Sequence, residues 1–430
     1  GITTSFFYQK FIFVNERINR LFEKVEVFEI DEKEAEEILL KTAFDFEQHF
    51  KVVIPFETIK EVIDKSSFYI TYIPFPEKAI ELLDEACVYA AQNNLPCLKP
   101  PRFDKFYKDR TSEVNKMLIP DAVDTVLSQK THIPIKLDET SKTKLLNLEK
   151  LLEEKIVFQK EGIEKLSSTL RKSFVIAGKR KKPLASFLFL GPTGVGKTET
   201  AKALASAFFG SESYLLRFDM SFYQRKDDIP NLLGSMDKGN PGLLTKTIRE
   251  KPYGVLLLDE IEKSDPELLN IFLTLLDEGY FTDGFGKRVD CKNLIVIATS
   301  NAGSDLIYKN QSNVGTGRDL SLQDYLIKNH IFTPEFLNRF DGIIIYQTLT
   351  KQATYEIAKK MLAKIIEEVY KIHKVRINIS ENFLNNLVEK GYNPKFGARN
   401  LERVIRDEVE DKVAKLILES NIKEGEFLDL

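Results

Sequence analysis

Between residues 31 and 93 apolar side chains recur at helical spacing, with Ala35, Ile38, Leu39 and Ala43 on one stripe and Ala79, Ile80, Leu83 and Ala86 on another. Apolar groups three and four residues apart bury one face of a helix, so residues 1–93 are expected to form a mostly helical domain. Asn93 to Pro101 reads NNLPCLKPP, which ends that pattern, and a polar, weakly periodic stretch continues to about Pro134. Prolines and side-chain amides favour turns over helix, so residues 94–140 are expected to be a linker. Lys142 to Leu170 reads as one helix with Leu145, Leu148, Leu151 and Leu152 on its apolar face. A basic hinge, Lys179-Arg-Lys-Lys182, follows.

Beyond the hinge the period changes. Short apolar runs at Phe187 to Leu190, Tyr214 to Phe218, Val255 to Leu258, Leu294 to Thr299 and Ile343 to Tyr346 alternate with helical patterns. Such alternation predicts an α/β fold in which a parallel sheet is covered by helices. One helix carries its own boundary signals: Ser264 or Asp265 as cap, Pro266 in the first turn and Gly279 as stop. From Thr350 onward the pattern is helical again, closing on a short strand near Phe427. The expected organisation is an α/β core over residues 141–347 and a helical lid over residues 348–430.

Composition narrows the setting. The chain has 430 residues, enough for two or three domains, and its 62 basic and 65 acidic side chains nearly cancel to a net charge of -3. A near-neutral chain has no strong global field for nucleic acid or an anionic membrane, so neither is expected as a partner. Cys87, Cys97 and Cys291 lack the paired spacing of a disulfide framework or a metal site, which suits a reducing, cytoplasmic compartment. No long uncharged apolar run occurs, and GITTSFFYQK lacks the basic-then-apolar order of a signal peptide. The chain is therefore expected to be soluble. Its start on Gly1 and turn-like residues points to a fragment that lacks upstream sequence.

The chemistry begins where Ser186 to Leu190 runs into Gly191-Pro192-Thr193-Gly194-Val195-Gly196-Lys197-Thr198, followed by a helical stretch from Glu199. This G-x-x-x-x-G-K-[ST] run between strand and helix is a phosphate-binding loop. Its glycines let backbone N–H groups turn toward phosphates, and the helix N-terminus adds positive potential. Lys197 is expected to neutralise the β and γ phosphates of ATP, and Thr198 to offer its hydroxyl to Mg²⁺.

A second apolar strand ends in Asp259 and Glu260, at the strand end where open α/β sheets bind ligands. Asp259 is suited to hold magnesium, and Glu260 to polarise the water that attacks the γ phosphate. Asn301 ends another apolar strand, where an amide could position that water or simply make a turn. Arg339 and Arg399 are unremarkable alone, since most arginines are solvated or ion-paired.

The runs GPTGVGKTETAKALA, LLLDEIEKSDPELLN, ATSNAG, TPEFLNRFD and GARNLERVI, in this order, resemble the second ATPase module of Clp-type AAA+ unfoldases over about residues 140–430. The resemblance implies ATP hydrolysis with Mg²⁺ in a homo-hexameric ring acting on polypeptide clients. It makes Asn301 the sensor-1 residue, Arg339 an arginine finger for the neighbouring subunit's site, and Arg399 the sensor-2 arginine of the lid. Residues 1–93 resemble the tail of the family's first module through GITT and PEKAIELLDEA, with Arg20 alone standing where the family has an arginine pair.

Two features depart from the family. The segment Leu233 to Leu244, at the position of the pore loop, has no aromatic residue, and Met236 is its nearest soft contact. The tripeptide for docking a Clp-type peptidase has Val314-Gly315-Thr316 as its nearest equivalent, which ends in a polar residue, so the motif is not intact. The leading expectation is a polypeptide-remodelling ATPase. Its alternative is an ATP-switched assembly or interaction protein that does not thread polypeptide. A DNA-handling ATPase has only Lys179 to Lys182 in its favour.

Overall fold

The computed structural model describes residues 1–3, 7–93, 116–131, 139–176, 181–236, 239–309, 318–419 and 427–429. Helices α1 (Glu32–Phe50), α2 (Phe56–Tyr69), α3 (Glu77–Gln92) and α4 (Pro120–Thr131) share one apolar core built on Leu39, Val62, Leu82, Leu83 and Leu127. A capping box starts α1: the Asp31 carboxylate accepts the Glu34 N–H at 2.8 Å, and Glu34 returns the bond to the Asp31 N–H. This satisfies two N–H groups that a helix start otherwise leaves unpaired.

Helix α4 falls inside the stretch expected as linker. Its Val123, Val126 and Leu127 have helical spacing and are buried in the core of α1 to α3. Val52–Val53 also pairs in parallel with Lys116–Met117, tying the same stretch to the bundle. With Ala122, the residues Val123, Val126 and Leu127 make an apolar face of four, too few to stand out against the polar run around them.

The helix expected over Lys142 to Leu170 is two, α5 (Glu139–Lys155) and α6 (Lys160–Ile176). The break at residues 156–159 contains neither glycine nor proline; Phe158 turns the chain with φ +67°. Gln159 then fixes the turn. Its side-chain amide, 4% exposed, donates to the carbonyls of Val195 (3.3 Å) and Gln347 (2.9 Å) and accepts the Gln347 N–H (3.0 Å).

Strands β1 (Ala185–Leu190), β2 (Leu215–Asp219), β3 (Gly254–Asp259), β4 (Leu294–Ser300) and β5 (Gly342–Ile345) form one sheet in the order β2-β3-β4-β1-β5, with every pairing parallel. The α/β class expected from the alternating runs is the one observed. Side chains alternate between two cores. Leu188, Leu190, Leu256, Leu258 and Val296 face α8 (Pro266–Glu278), while Phe187, Phe189, Val255, Leu257 and Ile297 face α5, α6 and α7 (Lys197–Phe209). Burial on both faces is why these strands read as unbroken apolar runs rather than alternating ones. For α8 the cap is Asp265, whose carboxylate accepts the Glu267 N–H at 2.8 Å, with Pro266 in the first turn and Gly279 at φ +70° as the stop.

The C-terminal helices α9 (Lys351–His373), α10 (Glu381–Gly391) and α11 (Ala398–Ile405) pack around Leu362, Leu387, Leu401 and Ile405. Phe427–Asp429 pairs in parallel with Arg376–Asn378. Of the basic hinge, Lys182 lies 3.5 Å from Asp277, and Lys179 and Arg180 are outside the described residues. Among the described residues no helix is long and apolar enough to cross a membrane.

Candidate active site

Parallel pairing in register brings the C-terminal ends of four strands to one edge of the sheet: Leu190 lies opposite Ser300, Leu258 opposite Ala298, and Asp219 opposite Asp259. The loop Gly191 to Gly196 leaves β1 at that edge and opens helix α7 at Lys197. Gly191, Gly194 and Gly196 have φ of +151°, +75° and +104°, a backbone that side chains with a Cβ rarely adopt. Pro192 and Val195 are buried, Thr193 and Thr198 half-buried.

Lys197 is 7% exposed and donates to three acceptors: the carbonyls of Gly191 (2.5 Å) and Pro192 (2.8 Å) and Oδ1 of Asn301 (2.7 Å). Burial pushes its pKa down to about 8; the carboxylates of Glu262, Asp259 and Glu260 oppose that shift, and Arg399 adds to it. The ammonium's three donors are thus met by two loop carbonyls and one side-chain amide, none of them charged.

Asn301 is the hub of the cluster. Its Oδ1 also accepts from Thr193 Oγ1 (3.5 Å), its Nδ2 donates to Glu260 Oε1 (3.4 Å), and its backbone N–H donates to Glu262 Oε1 (3.1 Å). The other Glu262 oxygen, Oε2, is buried without a hydrogen-bond partner. Glu260 has φ +56° and ψ +48°. A left-handed backbone in a residue other than glycine costs about 1–2 kcal/mol and is found where the surroundings hold it for a task. Here the Glu260 N–H donates to Thr299 Oγ1 at 3.2 Å, while that hydroxyl donates to Asp259. Thr299 thus fixes both acids. The Glu260 carboxylate also pairs with Lys263.

Asp259 is paired with Arg217 of β2, Nη2 to Oδ2 at 2.7 Å. Neither Arg217 nor Glu262 was anticipated from the sequence. Arg217 is exposed, so its own strand gave no reason to expect a partner; the pairing follows from the register that sets β2 beside β3.

From the other side the lid reaches the loop. The Ala398 N–H donates to the Gly194 carbonyl at 2.9 Å. A Cβ on Gly194 would lie 2.3 Å from the Phe396 carbonyl, and one on Gly397 would lie 2.6 Å from the Gly194 carbonyl. Only two glycines can touch this closely. Arg399, exposed, stands one residue beyond that contact in α11.

Arg339 is not part of this cluster. Its carbonyl lies 3.4 Å from Ser186 Oγ, near the start of β1, and the loop lies at the opposite end of that strand, about 16 Å away at roughly 3.3 Å per residue. The guanidinium pairs with Asp277 (2.9 Å) and Glu335 (3.2 Å) of its own chain.

A cavity of about 280 Å³ adjoins the loop between the α5–α6 turn and α9, with Ile156, Val157, Phe158, Ile163, Glu356 and Lys360 in its lining. Ile156 lies 3.9 Å from where a Cβ of Gly196 would sit.

Oxygen donors suit magnesium: Asp259 offers a carboxylate and Thr198 a hydroxyl, both hard ligands. Among the described residues no group of three or more His, Cys, Asp or Glu side chains could hold a metal ion by itself. That donor set fits an ion that keeps waters and arrives with phosphates rather than one held in an all-protein cage.

The hairpin at the pore-loop position is narrow. Ser235 and Asn240 pair across it, Met236 is 37% exposed, and Asp237 and Lys238 lie outside the described residues. Gly234, Gly242 and Gly284 pack backbone to backbone at its base. The tripeptide Val314 to Thr316 also lies outside the described residues.

Family models match three segments: an AAA domain of the Cdc48 subfamily over residues 182–343, the C-terminal D2-small domain of ClpB protein over 349–430, and an AAA lid domain over 31–111. A ClpA homolog described as an ATP-dependent Clp protease ATP-binding subunit, from Pyropia yezoensis, is 33% identical over 484 residues, covering 99% of this chain and 59% of its own. The ClpC subunit of Staphylococcus aureus (strain USA300) is also 33% identical, over 479 residues, with 99% and 58% covered. The chain thus spans less than two thirds of the length of these relatives. Among solved structures, Hsp104 with ATPγS and FITC casein superposes with a TM-score of 0.78 at 31% identity, covering 99% of this chain and 71% of that one. The extended Saccharomyces cerevisiae Hsp104:casein complex gives 0.77 at 31%, again covering 99% and 71%.

Proposed function

The chain belongs to the AAA+ ATPases of the Clp and Hsp104 type, and from that membership we propose that it hydrolyses ATP with magnesium to remodel polypeptide clients in a homo-hexameric ring. The observation that carries the proposal is the meeting of Lys197, Asn301, Asp259 and Glu260 at one sheet edge, linked by direct hydrogen bonds and by the shared Thr299.

In this reading Gly191 to Gly196 cradle the triphosphate with backbone N–H groups, and Lys197 trades its carbonyl partners for phosphate oxygens. Asp259 and Thr198 would hold magnesium, which would neutralise charge on the phosphates. Glu260 accepts a proton from the attacking water, and Asn301, bonded to both Lys197 and Glu260, holds that water between base and phosphate. Arg399 brings positive charge from the lid. The cavity lined by Ile156 and Val157 takes the nucleobase.

Arg339 completes the site of the next subunit. Its distance from its own loop supports a trans role, because an arginine reaches about 7 Å from its Cα and the strand between them is longer. A head-to-tail contact of that kind builds a ring when its rotation closes. The proposed domains are a first helical unit over 1–93, an α/β core to residue 347 and a lid over 348–430; within the expected linker 94–140, residues 116–131 pack on the first unit and α5 already starts at Glu139. Two buried thiols, Cys87 and Cys291, agree with a reducing, cytoplasmic setting. Hsp104 complexes with casein support polypeptide as client, and the names of the Clp relatives are what point to a partner peptidase.

The test is a Glu260→Gln chain given ATP and a labelled unfolded polypeptide. Hydrolysis is expected to fall by about 10²–10⁴-fold while the polypeptide is retained only with ATP. ATP-dependent assembly without capture would favour a switched interaction protein, and undiminished hydrolysis would remove Glu260 from its role.

A further inference from the structure

Phe158 combines two unfavourable features. Its backbone is left-handed, φ +67°, where a glycine would sit without strain, and its ring is 52% exposed although it lines the cavity beside the phosphate loop. It belongs to none of the buried cores, and among the described residues no aromatic ring packs against it. The fold gives nothing in return for holding a large apolar ring in this conformation.

The position is nevertheless fixed from both sides. Ile156, 6% exposed, anchors the turn in the core under α5 to α7, and Gln159 locks it with three hydrogen bonds to Val195 and Gln347. The opposite wall is the lid, through Glu356 and Lys360 on one face of α9, and Lys360 Nζ reaches back to the Glu154 carbonyl at 2.5 Å. Apolar walls from Ile156, Val157 and Ile163 with one exposed ring and a charged rim form a slot for a flat heterocycle. Strain that the surroundings enforce is characteristic of groups that meet a ligand.

We propose that Phe158 is the surface on which the nucleobase of ATP stacks. The inference rests on the assignment of this cavity to the base. It makes Phe158 a determinant of base affinity that is separable from phosphate binding, since the loop Gly191 to Thr198 can hold a triphosphate with no base attached.

The experiment measures dissociation constants of ATP and of inorganic tripolyphosphate by calorimetry for the full chain, Phe158→Gly and Phe158→Tyr. Phe158→Gly is expected to weaken ATP by about tenfold, in the range of base–aromatic stacking, to leave tripolyphosphate unchanged, and to melt no lower, because glycine accepts the positive φ. Phe158→Tyr should bind ATP as the starting chain does. ATP affinity of Phe158→Gly within about twofold of the starting chain overturns stacking, as does a parallel loss of tripolyphosphate, which would mean that the ring merely shapes the loop. A starting chain that binds tripolyphosphate as tightly as ATP overturns the base cavity itself, and stacking with it.

Discussion

Arg339 offers the sharpest test of a shared site. In one chain its guanidinium is held by Asp277 and Glu335, and the strand β1 separates it from its own phosphate loop by about 16 Å. Arg339→Ala should therefore abolish hydrolysis in the ring while leaving nucleotide affinity nearly unchanged, with a loss of about 10³–10⁵ in rate for an arginine finger. Glu260→Gln should be similarly inactive. Mixing the two inactive chains separates cis from trans. Where an Arg339→Ala subunit keeps Glu260 and its neighbour keeps Arg339, a complete site forms. Random equal mixing in a closed ring gives such an interface at about one position in four. Recovery of about a quarter of the starting ATPase rate, measured by phosphate release after subunit exchange, is the expected result. No recovery in rings shown to be mixed, by co-purification of an untagged variant with an affinity-tagged one, would refute the trans assignment.

Lys197 is held near a pKa of about 8 by burial, and a bound triphosphate should raise it, so ATP binding above pH 8 takes up a proton. Affinity then falls as pH rises through that range, and calorimetry in buffers of different ionisation enthalpy should register the uptake; uptake absent at pH 9 would contradict it. For folding the sign is opposite: the unfolded lysine keeps its proton to about 10.5, so this residue adds stability as pH climbs from 8 toward that value. Gly397→Ala places a Cβ 2.6 Å from the Gly194 carbonyl and 2.8 Å from that of Thr193 at φ +54°. Backbone strain of about 1–3 kcal/mol should lift the lid off the loop, seen as ATP affinity weakened about tenfold in a fluorescence titration; unchanged affinity would show that the contact does not support binding.

What could be read from the sequence was whatever is encoded locally. The phosphate loop is contiguous, and the strands around it are buried on both faces, so their apolar runs stood out. The bounds of α8 lay in Asp265, Pro266 and Gly279. The turn at 156–159 could not be seen, because no breaker residue makes it: Gln159 holds it through bonds to Val195 and Gln347, the latter 188 residues away in sequence. Helix α4 was obscured for a similar reason, its short apolar face having meaning only against α1 to α3. In the site, Lys197, Asp259, Glu260 and Asn301 meet as a cluster, but the pairing of Asp259 with Arg217 and of Asn301 with Glu262 depends on sheet order, which no single strand announces.

The glycine contact between Gly194 and Gly397 also sets a mechanical ratio. The lid touches the loop where the phosphates would lie, so a lid that tilted about this contact would carry α9 with it as an arm. At 1.5 Å per residue the 23 residues of α9 make an arm of about 34 Å. A tilt of roughly ten degrees about the contact would sweep the far end of that arm through about 6 Å, more than one helical turn. A displacement too small to see at the phosphates would thus reach the periphery of the subunit as a stroke long enough to shift a neighbour.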